Sequence, residues 1–155
     1  MAVRTSTGYE AQIMGPQSFD AIFYNGAIEV RSGSQPANAD LAATGVLLGR
    51  ITADGGAWAA GDPANGLRFT RDGRYAMKNF SQRWVLQGLA TGVAGWCRLL
   101  PNALDPGADS LLHPRIDGAV GIPDTPGDFQ LFLPSLAITP STTIELPSWW
   151  FMKPQ

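Results

Sequence analysis

Apolar residues in this chain fall into short runs, and most of the runs alternate with polar positions. At 27–31 the order Ala-Ile-Glu-Val-Arg places apolar and polar side chains on opposite faces, as in a strand with one wet face. Further extended runs occupy 46–52, 67–70, 84–89, 91–100, 115–120, 128–133 and 142–152. Gly- and Pro-bearing turns separate them, Asp54-Gly55-Gly56 and Asp72-Gly73 among them. Within 91–100, alternation predicts Val93, Gly95, Cys97 and Leu99 on one face. Ala94, Trp96, Arg98 and Leu100 are expected on the other. Gly92 and Gly95 mark a bulge or a close backbone approach in that strand. Pro147 breaks the last run and favours an edge position or a bulge there. One segment, 17–25, reads as helix, because Phe19, Ile22 and Phe23 recur at i, i+3, i+4 and Gly26 follows as a stop. The pattern predicts an all-β fold, an antiparallel β-sandwich or jelly-roll-like, with one short helix near residues 17–25. Residues 1–16 are mostly small and polar and read as an extended N-terminal arm, and 17–155 as a single β-sandwich domain.

Composition sharpens this picture. The 155 residues include 18 Gly and 12 Pro, which fits many turns between short strands. Charged residues are 15% of the chain, against roughly 25% in ordinary soluble domains. A surface so poor in charge points to coverage by a partner. The net charge is −2 and the 11 Lys and Arg are scattered, so no cationic cluster meets phosphates and nucleic acid is not an expected partner. No apolar stretch reaches the roughly 20 residues of a membrane span, so no membrane contact is expected. Residues 1–9 lack the apolar core of a signal peptide. Cys97 is the single cysteine, which excludes an intrachain disulfide.

Candidate chemistry is sparse. His113 is the one histidine, and although Ser110 lies near it in sequence, no G-x-S-x-G turn surrounds any serine. One His and one Cys cannot close a tetrahedral zinc site. Asp105, Asp109, Asp117, Asp124 and Asp128 lack the spacing of a calcium loop and read as turn formers. No local feature supports a paired-carboxylate, glycan-active enzyme. The chain is therefore expected to be no enzyme, with no catalytic residue, metal or cofactor. Cys97 is expected to be buried and unreactive. Trp149, Trp150 and Phe151 are consecutive, so on a strand they point to both faces. Either that strand is buried on both sides or one side meets a partner, and Trp58, flanked by alanines, is equally open. The arm holds only Val3, Tyr9, Ile13 and Met14 as larger apolar residues, while ordering its backbone costs about 1–2 kcal/mol per residue. A neighbouring subunit covering the arm or an edge strand would offset that cost. The partner-binding candidates are thus Tyr9, Ile13, Met14, Trp58, Trp149, Trp150 and Phe151, with residues 1–16, residues 149–155, or both expected against another chain.

Several segments resemble a family of small structural proteins of tailed bacteriophages. The run from Gly26 through Ile28-Glu29-Val30-Arg31-Ser32-Gly33-Ser34-Gln35-Pro36, followed by Ala39-Asp40 and Ala43-Thr44-Gly45-Val46-Leu47-Leu48, resembles that family's opening strand, loop and second strand. Ala90-Thr91-Gly92-Val93-Ala94-Gly95-Trp96-Cys97-Arg98-Leu99 is similar to another of its strands, with Cys97 where an aromatic is usual. Arg115-Ile116-Asp117-Gly118-Ala119-Val120-Gly121 is similar to a third. The resemblance implies a structural protein of the virion, made in the host bacterial cytoplasm. It would decorate or cement the capsid through contacts with other virion structural proteins, the major capsid or tail proteins, and act as a homo-oligomer in the assembly. A tail, neck or receptor-binding (adhesin) component on the same sandwich is the alternative.

Overall fold

The computed structural model describes residues 3–152. The described residues form an all-β fold of two largely antiparallel sheets that share one aromatic core. In the larger sheet, β2 (Ala27–Ser32) is central and lies between β3 (Leu47–Ala53) and β7 (Gly92–Leu100). β6 (Trp84–Gly88) and β11 (Thr143–Leu146) extend it past β3, while β8 (Ile116–Gly121) and β1 (Arg4–Thr5) extend it past β7. Two short strands lie off this path. β9 (Leu131–Phe132) pairs with β8 in parallel, and β10 (Ala137–Ile138) pairs with the start of β7. The smaller sheet has the order β12 (Trp150–Met152), β5 (Tyr75–Lys78), β4 (Phe69–Asp72). The run expected over 142–152 therefore divides at Pro147: β11 joins one sheet and β12 the other. Lys78 ties the layers together, its Nζ donating to the Leu146 carbonyl at 3.0 Å from a buried position.

Among the described residues two helices are present where one was expected. α2 (Phe19–Ile22) lies inside 17–25 and is capped by the Ser18 hydroxyl, which accepts from the Ala21 N–H. The longer helix is α1 (Thr7–Ile13), within the segment expected to be an extended arm. Ser6 caps it, its Oγ accepting from the Tyr9 N–H at 3.1 Å. Ahead of the helix, β1 pairs Arg4 with Asp117 and Thr5 with Ile116. The arm is thus folded onto its own domain. The apolar contacts judged missing come from within the chain: Tyr9 is buried, stacks on Phe23 at 5.7 Å and meets Phe151 edge-on at 6.2 Å. Residues 1–2 and 153–155 of the two expected attachment ends lie outside the described residues.

The core runs between the sheets. Phe19 and Phe151 stack at 5.4 Å, Phe69 meets Trp84 at 5.3 Å, and Trp84 meets Trp149 at 5.9 Å. Around these rings pack Ile28, Val30, Leu48, Ile51, Leu86 and Leu146. Such aromatic pairs add about 0.5–1.5 kcal/mol each beyond the area they bury.

β7 departs from simple alternation. Ala94, Cys97 and Leu99 belong to the core, whereas Val93 is exposed. The cause is a bulge: β2 pairs Arg31 with Trp96 and then Ser32 with Ala94, leaving Gly95 as the extra residue. One inserted residue reverses the faces of everything before it. Glycine is required there, because a Cβ would collide with the Gly33 carbonyl across the sheet.

Candidate functional site

Beyond the core face of β7, Trp96, Arg98 and Leu100 are also buried. The loop 33–46 folds over them and meets the loop 101–114. Arg98 forms a fork with Asp117, Nε to Oδ1 at 2.6 Å and Nη2 to Oδ2 at 2.8 Å, and also donates to the Leu41 carbonyl at 3.1 Å. Arg115 makes a second fork with Asp105 at 2.7 and 2.6 Å. Its remaining N–H groups reach the carbonyls of Ala39, Asp40 and Leu41, each at 3.4 Å, and of Ala108 at 2.8 Å. All four side chains of these two forks are buried. Burial pushes the Asp105 carboxyl up, but Arg115 and the Gly107 N–H bring it below the ordinary carboxylate value.

Backbone contacts complete the clamp. The Ser110 N–H donates to the Asp40 carbonyl and Ala43 N–H to the Gly107 carbonyl, both at 2.8 Å. Asp109 accepts from the Ala42 N–H at 2.6 Å. The Asp40 carboxylate accepts from both the N–H and the hydroxyl of Thr7 at 2.7 Å, fixing the start of α1 to the same unit. Two loops and a helix end thus form one rigid platform. At its surface it carries Leu111, 64% exposed, and Leu112, 82% exposed, and the laced loop carries the partly exposed Leu41.

A second feature is a groove of about 560 Å³ between the segment 123–134 and the β11–β12 connection. Trp149 lies at its floor and Trp150, Phe129 and Phe132 line it. The ring of Trp150 is braced edge-on by Tyr75 at 5.8 Å, and Phe129 meets Phe132 at 5.9 Å. Gln130 Nε2 donates to the Trp150 carbonyl, holding the two sides together. A third, more apolar cleft of about 350 Å³ lies over α1, α2 and the β4–β5 hairpin, with Tyr9, Ile13, Phe19 and Phe151 among its lining.

The seven residues singled out from sequence divide accordingly. Tyr9, Trp149 and Phe151 are buried in this chain's own core and serve packing, because the two sheets and α1 close over them. Burial also pushes the Tyr9 hydroxyl up to about 12. Ile13 is half-buried against the core. Trp58 is engaged internally, its Nε1 donating to the Asn25 carbonyl at 2.8 Å and the Arg50 guanidinium lying 5.4 Å from its ring. Met14 and Trp150 are the two that face outward, 79% and 55% exposed. Sequence reasoning missed Leu111 and Leu112 as surface groups. Their adjacency next to turn-forming Ser110 was the available signal.

At His113 the hydrogen bonds among the described residues engage its backbone. The Ser110 hydroxyl beside it accepts from the backbone N–H groups of Leu112 and His113, and the His113 carbonyl accepts from the Ser6 hydroxyl. Among the described residues no group of three or more His, Cys, Asp or Glu is placed to hold a metal ion. Among them, too, no helix is long and apolar enough to cross a membrane. Cys97 is buried, and desolvation pushes its thiol far above the ordinary value, with Asp117 adding to the effect. Compared with known protein families, curated proteins and solved structures, the chain shows no match.

Proposed function

We propose that this chain is a structural protein of a tailed bacteriophage particle that decorates and cements the capsid through protein–protein contacts. Its partners are then other virion structural proteins and further copies of itself, and no catalysis is involved. The leucine-bearing platform carries this reading. Burying a leucine side chain is worth about 1.5–3 kcal/mol, and Leu111 and Leu112 leave most of that unused in the isolated chain. The loops that hold them are already fixed, so docking would cost little ordering entropy. The segments that resemble the phage family supply part of the clamp: Asp40, Arg98, Arg115 and Asp117 lie within them, while Asp105 and Asp109 come from the loop 101–114. A tail, neck or receptor-binding station is the second reading, and the aromatic groove favours it.

Particle assembly with Leu111→Asp and Leu112→Asp combined tests the proposal. Both side chains are exposed, so the variant is expected to fold with an unchanged melting temperature. Its occupancy on purified particles is expected to fall to about a tenth or less, as a loss of ~1.4 kcal/mol or more would give. Normal occupancy of a folded double variant would remove the platform as the attachment.

A further inference from the structure

We infer that the aromatic groove beside Trp150 is a binding site for a neutral saccharide. A sugar ring has an apolar C–H face that stacks on an aromatic ring and a hydroxyl rim that needs polar partners. The groove supplies both. Trp150 and Phe132 are exposed enough to offer ring surface, 55% and 46%, and both are braced by neighbouring rings. Asp124, Gln130 and Glu145 stand among its lining residues as hydroxyl partners. Glu145 also meets Arg83 at 3.7 Å, an exposed pair of little worth that leaves the carboxylate usable.

Charge selects the ligand class. Among the described residues no Lys, Arg or His lines the groove, while two carboxylates do. Phosphorylated or carboxylated ligands would be repelled, and an uncharged polyhydroxyl ligand would not. A volume of about 560 Å³ suits a few sugar rings. An extended peptide finds less. The neighbouring edge strand β11 is four residues long and is followed by Pro147, and its Leu146 carbonyl is already taken by Lys78. The fixed rings mean that little rotamer freedom is lost on binding. This site operates wherever the protein sits on a particle, and its test reads ligand binding and not occupancy.

The test titrates the full chain with maltotriose, cellotriose and chitotriose, followed by tryptophan fluorescence and saturation-transfer NMR. At least one trisaccharide is expected to bind saturably, with its ring C–H protons receiving the strongest transfer. Trp150→Ala is expected to weaken that binding roughly tenfold or more, and Trp58→Phe to leave it unchanged. Should Trp150→Ala lose its fold, Phe132→Ala and Asp124→Asn must each show the weakening. Absence of saturable binding by all three sugars overturns the inference. So does binding that these groove variants leave untouched, or Trp150-dependent binding of a proline-rich peptide in place of any sugar.

Discussion

Arg115 does more than any other side chain to fix the shape of the surface. Its guanidinium joins Asp105 and four backbone carbonyls drawn from two loops distant in sequence. Removing one partner of a buried pair leaves the other charge uncompensated, so Arg115→Ala is expected to cost about 3–5 kcal/mol in denaturant unfolding. Arg115→Lys should not restore the loss, because an ammonium cannot reproduce the planar fork. The pair also sets an acid limit. Asp105 lies below the ordinary carboxylate value when folded, so its stabilisation is complete above the unfolded value. It is lost as pH falls through the unfolded value, near 3.9, toward the folded one. Melting temperature should therefore decline below about pH 4, and Asp105→Asn should make that decline shallower. An identical acid slope in the variant would show that the carboxylate is not responsible. Cys97, buried against Gly118 across β7 and β8, should resist thiol reagents in the native protein. Cys97→Asp should destabilise by several kcal/mol, in the range of about 3–5 for a buried unpaired charge.

Elements differ in how well the sequence reveals them. The longer strands of the large sheet, β2, β3, β6, β7 and β8, were legible because alternation and Gly/Pro punctuation are local signals, whereas the two-residue strands β1 and β10 were not. β5 was not, although Asp72-Gly73 announced the hairpin that leads into it; Gly73 has a φ of 56° there. The faces at the start of β7 were misread because the bulge at Gly95 is enforced from across the sheet by the Gly33 carbonyl. Gly95→Ala should therefore destabilise by about 1–3 kcal/mol, the usual cost of forcing atoms into filled space. α1 was missed for a different reason. Its sequence Thr-Gly-Tyr-Glu-Ala-Gln-Ile has weak intrinsic preference, and only Tyr9 and Ile13 share an apolar face. Ser6 as a cap was the one local hint, and tertiary packing supplies the rest. Tyr9→Ala should cost about 3–5 kcal/mol, as for other large aromatic truncations. A near-neutral result would mean that α1 docks without stabilising the core.

At the scale of the whole molecule, the charge-poor composition and lack of catalytic motifs pointed to an assembly role, but the sequence placed the attachment at the ends. The fold keeps part of those ends outward, Met14 and Trp150 among them. The aromatic C-terminal cluster is divided by strand alternation, with Trp149 and Phe151 inward and Trp150 outward. The N-terminal segment is absorbed by β1 and α1. Beside them the chain presents a leucine-bearing turn on a clamped platform and an aromatic groove that includes Trp150, each built from residues far apart in sequence. Periodicity cannot reveal such surfaces, because the platform depends on which loops the buried arginines draw together and the groove on how the segment 123–134 meets the β11–β12 connection. The most direct measurement is the number of copies of this chain on purified phage particles, counted against the major capsid protein by quantitative mass spectrometry. A capsid-decorating role predicts copies in a fixed, symmetry-related ratio to the capsid protein, whereas absence of the chain from intact particles would contradict it.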